Sequence, residues 1–99
     1  MLYAITGKDS PNGLELRRRV RAEHLERARR LVQEGRMVLA GPCPSIDSPD
    51  PGPAGFSGSV IIAEFESLED ARAWIAADPY VTEGVFESWD VRPFIKVLP

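Results

Sequence analysis

Histidine occurs once in this chain, at position 24, and cysteine once, at position 43. A lone cysteine excludes an internal disulfide. One cysteine with one histidine also leaves too few ligands for a structural zinc site. No stretch approaches the roughly 20 apolar residues that a membrane-spanning helix needs. The opening segment Met1-Leu2-Tyr3-Ala4-Ile5-Thr6 has neither the basic flank nor the length of a signal peptide, so a cytoplasmic location without a membrane partner is expected. A positive surplus is missing too: 12 Lys and Arg stand against 15 Asp and Glu, a net charge of −3. That balance argues against a nucleic-acid partner. Gly52, Gly55 and Gly58 match no phosphate-cradling spacing followed by a helix.

What remains is an ordinary globular composition, 43% apolar over 99 residues. It is enough for one core and too little for two, so residues 1–99 are expected to form a single domain. Leu2 to Thr6 is a short apolar run closed by Gly7, and Asp9-Ser10-Pro11-Asn12-Gly13 is turn chemistry. A helix follows with no marked start and stops at Glu34-Gly35, where glycine suits the left-handed cap. Met37 to Ala40 is a second apolar run ending at Gly41-Pro42. Pro44 to Gly55 holds four prolines and two glycines and is expected to be a long loop. Gly58 to Phe65 is the strongest strand. Ser67 then caps a helix in which Leu68, Ala71, Trp74 and Ile75 fall at helical spacing. Asp78-Pro79 stops that helix, Pro79 to Glu83 has the makings of one further turn, and Phe86 to Val97 reads as the last strand. Pro93 within it demands an edge or a bulge.

The order β-α-β-β-α-β predicts an α+β fold of the ferredoxin-like kind, a four-stranded antiparallel sheet with its helices on one face. Ile61, Ala63 and Phe65 would face those helices. Val60 and Ile62, however, put apolar side chains on the opposite face, where an antiparallel sheet with one wet side should be polar. Two sheets pairing face to face would cover it, and a homodimer is the expectation.

His24 shares one helix face with Val20, Ala28 and Leu31, a position that ordinarily holds leucine. It reads either as a core histidine with its polar atoms satisfied or as a general acid or base. Asp78 likewise has two readings. It N-caps the turn opened by Pro79, or it accepts a hydrogen bond from His24 and fixes the ring tautomer. Eight arginines crowd between Arg17 and Arg36, and they are either a solvated surface interleaved with glutamates or, near Arg21, a lining that attracts an anion. Ser59 and Cys43 sit in no nucleophile signature, and Tyr80, Trp89 and Phe94 serve either a pocket or the core.

Several segments then fall together: Arg21-Ala22-Glu23-His24-Leu25, Glu34-Gly35-Arg36, Ala40-Gly41-Pro42, Asp50 to Ser59, Ile62-Ala63-Glu64-Phe65, Ala77-Asp78-Pro79-Tyr80, Gly84-Val85-Phe86 and Arg92-Pro93-Phe94. As an ordered set across nearly the whole chain they resemble the YciI-like (YCII-related) family. The resemblance implies a dimeric ferredoxin-like α/β-barrel, an active site around His24 and Asp78, and no obligatory metal or organic cofactor. Some such relatives carry out dehydrohalogenation-type chemistry on hydroxylated aromatic rings. The expectation is therefore an enzyme for a small, partly polar molecule. His24 would move a proton, Asp78 would orient His24, and Arg21, Gly41, Pro42, Ser59 and Tyr80 would contact substrate. A module that binds a small ligand or a partner without turnover is the alternative.

Overall fold

The computed structural model describes residues 1–99. Four strands, β1 (Leu2–Asp9), β2 (Met37–Pro44), β3 (Phe56–Glu64) and β4 (Phe86–Phe94), and helices α1 (Gly13–Gln33), α2 (Leu68–Ala76) and α3 (Pro79–Thr82) follow in the order β1-α1-β2-β3-α2-α3-β4. The sheet runs β2-β3-β1-β4 with every neighbour antiparallel, which is the α+β, ferredoxin-like arrangement expected. The core lies on one sheet face. Tyr3 and Ile5 of β1, Ile61 and Ala63 of β3 and Val91 of β4 pack against Leu31 of α1 and Ala71 and Ile75 of α2.

Element ends follow local chemistry where local chemistry exists. Gly35 at φ 72° closes α1, with its N–H on the Val32 carbonyl and the Arg36 N–H on that of Leu31, a Schellman pattern. Ser67 Oγ accepts the Asp70 N–H at 3.1 Å and starts α2. Both proline-bearing strands are edges: Pro93 lies in β4, and Pro42 and Pro44 lie in β2, where a missing N–H breaks no inner ladder.

Three expectations need correction. β1 runs to Asp9 and β2 to Pro44, because pairing of Gly7 and Lys8 with Ser59 and Gly58, and of Gly41 to Pro44 with Val60 to Phe56, carries the ladder past the apolar runs. β4 stops at Phe94, where β1 has no residue left to pair with it. Finally, the proline-rich loop is not wholly irregular, since Gly52–Ala54 forms a 3₁₀ turn.

The start of α1 has no side-chain cap on Asn12. A tertiary interaction anchors it instead. Arg17, one turn into the helix, turns inward and meets the carboxylate of Asp9 at the end of β1 through two hydrogen bonds, Nε to Oδ2 at 2.7 Å and Nη2 to Oδ1 at 2.9 Å. Nη2 also donates to the Gly58 carbonyl at 3.0 Å and to Ser59 Oγ at 2.8 Å on β3. The guanidinium thus ties together two strands and a helix while lying against the rings of Phe56 and Tyr80. Gly58 lets β1 and β3 approach closely beside this contact, because a Cβ there would overlap the Gly7 carbonyl oxygen. Both partners of the pair are nearly inaccessible, at 7% and 4% side-chain exposure. Losing one charge strands the other, which costs about 3–5 kcal/mol. Asp9→Asn should lower the unfolding free energy by an amount of that order in a urea titration. A loss below about 1 kcal/mol would show that the pair is incidental to the fold.

Candidate functional site

Arg17, His24 and Leu31 stand seven residues apart on α1 and, with Ala28, are its buried side chains beyond the first residue. The helix therefore places an imidazole on its core side, one turn and more beyond the Arg17 anchor. Across from it, the Asp78-Pro79 break between α2 and α3 brings in a carboxylate that is wholly buried. His24 Nδ1 and Asp78 Oδ1 are 2.8 Å apart. A carboxylate has no hydrogen to give, so Nδ1 carries the hydrogen and donates it.

The two readings of Asp78 are both realised. The same Oδ1 that receives His24 also accepts the Tyr80 backbone N–H at 2.9 Å, so the α3 cap and the histidine partner are one atom. The other oxygen, Oδ2, accepts from Arg27 Nη1 at 2.7 Å. Arg27 is held in turn by the Trp74 carbonyl at 2.9 Å and by that indole ring, 4.6 Å from the guanidinium carbon. The Tyr80 ring stacks on the imidazole at 3.8 Å with a 10° interplanar angle. Carboxylate and phenol together fix both the direction and the tilt of the histidine ring.

Nδ1 is the only His24 nitrogen with a protein partner, and no buried side-chain nitrogen or oxygen lacks one. Nε2 must therefore reach accessible space, and His24 lines a cavity of about 200 Å³ between α1 and the sheet. Arg21, Gly41, Pro42, Ser59 and Tyr80 line it too, so the structure gathers all five residues expected to contact a substrate around the imidazole. Asp78 stands behind the ring and does not line the cavity. Gly41 offers only backbone, and Ser59 Oγ is already engaged by Arg17, which leaves its hydroxyl hydrogen to donate inward. A basic free nitrogen next to a phenol and two guanidinium groups suits proton transfer on a polar, oxygen-bearing molecule. Larger hollows by Met1 and Arg36, and along Pro44 to Pro49, include none of these groups. No cluster of three His, Cys, Asp or Glu side chains is placed to hold a metal ion.

Arg17, counted above among arginines of a solvated surface or an anion-attracting lining, proves to be on the buried face of α1. Its seven-residue offset from His24, the same step that separates His24 from Leu31, was the available signal. Arg27 and Asp9 were not singled out at all. Arg27 stands three residues from His24 and so on the same side of the helix, but nothing in the sequence marks Asp9 as the partner of Arg17.

Burial pushes the Tyr80 phenol above its ordinary value of about 10, and the positive charges of Arg17 and Arg21 only partly oppose that rise. The phenol is thus a hydrogen-bond donor at neutral pH. The sign for stability follows from linkage: the contribution is present below the unfolded value near 10 and is lost as pH rises through the higher folded value. In a spectrophotometric titration, the difference between wild type and Tyr80→Phe should show a phenolate transition above pH ~10. A difference transition below that point would contradict the burial argument.

Comparison with known proteins agrees with this architecture. The model of the YCII-related domain matches residues 1–95. Protein YciI of Escherichia coli is 57% identical over 98 residues, 99% of this chain and 100% of that one. An uncharacterised protein of Haemophilus influenzae is 50% identical with the same coverage. Among solved structures, 5-chloro-2-hydroxyhydroquinone dehydrochlorinase of Burkholderia phenoliruptrix AC1100, in complex with 2,5-dihydroxybenzoquinone, superposes with a TM-score of 0.82 at 26% identity, over 96% of this chain and 94% of the other.

Proposed function

The chain belongs to the YCII-related domain family, and from that premise we propose that it is a small-molecule enzyme in which His24 and Asp78 act as an acid–base pair on a hydroxylated ring or small acid. One observation carries the reading: an imidazole locked from behind through Nδ1, with Nε2 opening into an otherwise protein-lined cavity. A histidine kept only for packing has no need of a buried carboxylate, a second guanidinium behind that carboxylate and a vacant nitrogen in front.

The roles follow from position. Nε2 takes a proton from a substrate hydroxyl, and the imidazolium so formed is stabilised through Nδ1–H by Asp78. Arg27 holds Asp78 in place while the Tyr80 ring holds the imidazole plane. Arg21 and the Ser59 hydroxyl, which line the same cavity, bind oxygens of the substrate. The structural likeness to a dehydrochlorinase suggests an elimination. From the keto tautomer of a halogenated hydroxylated ring, a hydroxyl proton passes to Nε2 and the freed electron pair shifts into the ring. Halide then leaves from carbon with its own bonding pair. The sum is loss of one hydrogen halide, and no oxidant or reductant is needed.

Incubation with 5-chloro-2-hydroxyhydroquinone, read by chloride release, tests the assignment. Wild type should release chloride, and His24→Gln should be slower by about 10²- to 10⁴-fold, the usual worth of positioned acid–base catalysis. Recovery of the bound compound unchanged after long incubation with wild type would favour a binding module instead.

In the same reading the working unit is a homodimer joined through the sheet face that the helices leave open. Leu2 and Ala4 of β1 and Val60 and Ile62 of β3 alternate with the core residues and so point away from the helices, each half-buried, with Leu39 of β2 beside them at 49% exposure. Light scattering at micromolar concentration should give about twice the 11.0 kDa chain mass. A monomer mass would sink the pairing.

A further inference from the structure

The cavity in front of His24 does not end at Arg21. A second chamber of about 310 Å³ adjoins it and shares Arg17, Arg21, Pro42 and Tyr80 as common wall. Leu14, Arg18 and Phe56 complete the outer chamber, and Asp50 to Gly52 of the proline-rich loop form its lip. Two compartments in line, one holding the imidazole and one opening outward, describe a site longer than a single hydroxyl group requires.

The charges in the outer chamber are unbalanced. Most arginines of α1 are paired: Arg17 with Asp9, Arg19 with Glu15, Arg27 with Asp78 and Arg30 with Glu26. Arg18 and Arg21 line the chamber and form no ion pair, although Asp50 stands in the same lining. This is no by-product of a basic protein, since the chain carries a net charge of −3. Two free guanidinium groups facing one hollow, three residues apart on the same helix side, are suited to a planar anion held by paired N–H donors.

Helix rise sets the length of that ligand. Arg21 and Arg18 precede His24 by three and six residues, which at 1.5 Å per residue places their Cα atoms about 4.5 and 9 Å along the axis from that of His24. We propose that the outer chamber is a carboxylate subsite, and that the substrate is a hydroxy acid, aromatic or of similar length, with its carboxylate on Arg18 and Arg21 and its hydroxyl toward His24 Nε2. The inference rests on the acid–base reading only for the direction of the hydroxyl. Phe56 and Tyr80 supply the apolar walls between the two ends.

Ligand binding tests this apart from turnover. The probes are 4-hydroxybenzoate and its uncharged counterpart 4-hydroxybenzamide, titrated into full-length protein and followed by the single imidazole resonance and by backbone amides of α1. The acid should bind at least about tenfold more tightly than the amide, the worth of one charge-assisted contact. Added salt should shrink the difference, and the double variant Arg18→Gln/Arg21→Gln should abolish it. Arg29→Gln, which removes an exposed arginine outside both chambers, should leave it intact. Equal binding of acid and amide, or an equal loss in Arg29→Gln, overturns the subsite while leaving chloride release by His24 untouched. Arginine-dependent acid binding that persists in a protein without any His24-dependent turnover upholds the subsite and tells against the proposed reaction instead.

Discussion

A carboxylate with no exposure to water is expensive to bury, and the region around Asp78 is organised to hold it. An isolated buried charge costs several kcal/mol after relaxation, so each oxygen must be engaged. Oδ1 takes the cap N–H of Tyr80 and the hydrogen of His24, and Oδ2 takes Arg27. Those three donors come from α3 and from two successive turns of α1. Satisfying the charge therefore fixes how the short helix sits against the long one, and with it the facing of Tyr80 on the imidazole. The fold and the orientation of the imidazole depend on the same few hydrogen bonds.

Arg17 does comparable work at the other end of the site. It is a buried cation whose charge is matched by Asp9 and whose Nη2 also donates to Gly58 and Ser59 of β3. One buried ion pair thus anchors the sheet to the start of α1, and another anchors the end of α2 to the middle of α1. The cavity lies between them. Its walls are held by charge pairing on both sides, which keeps an open, polar space from collapsing onto the apolar core formed by Ile61, Leu31 and Ala28.

Strand and helix order was legible in the sequence because apolar periodicity, Gly35, Ser67 and the Asp78-Pro79 step are local signals that tertiary structure did not override. The ends of β1 and β2 were not, since ladder pairing with β3 extended strands whose own residues include glycine and proline. The start of α1 was invisible for the same kind of reason, as its anchor lies across space at Asp9. Within the site, His24 stood out as a titratable ring in an apolar stripe, and the family pattern added Asp78. Arg27 was hidden among eight arginines of like spacing. Asp78 was legible twice over, but reading its cap and its histidine contact as rivals was the error, because a carboxylate oxygen has room for two donors.

The loop between β2 and β3 closes on itself, with the Ser45 N–H on the Gly55 carbonyl at 2.9 Å, before its far side reaches the mouth of the outer chamber. A loop pinched at its base tolerates changes in length and composition at little thermodynamic cost. None of Arg27, Asp78, Tyr80 or His24 lies on it. Changes between Ser45 and Pro49 would therefore leave the hydrogen bonds that hold His24 and Asp78 in place. Within 99 residues, a segment that can be rewritten cheaply is thus kept apart along the chain from the contacts that neutralise the buried charges.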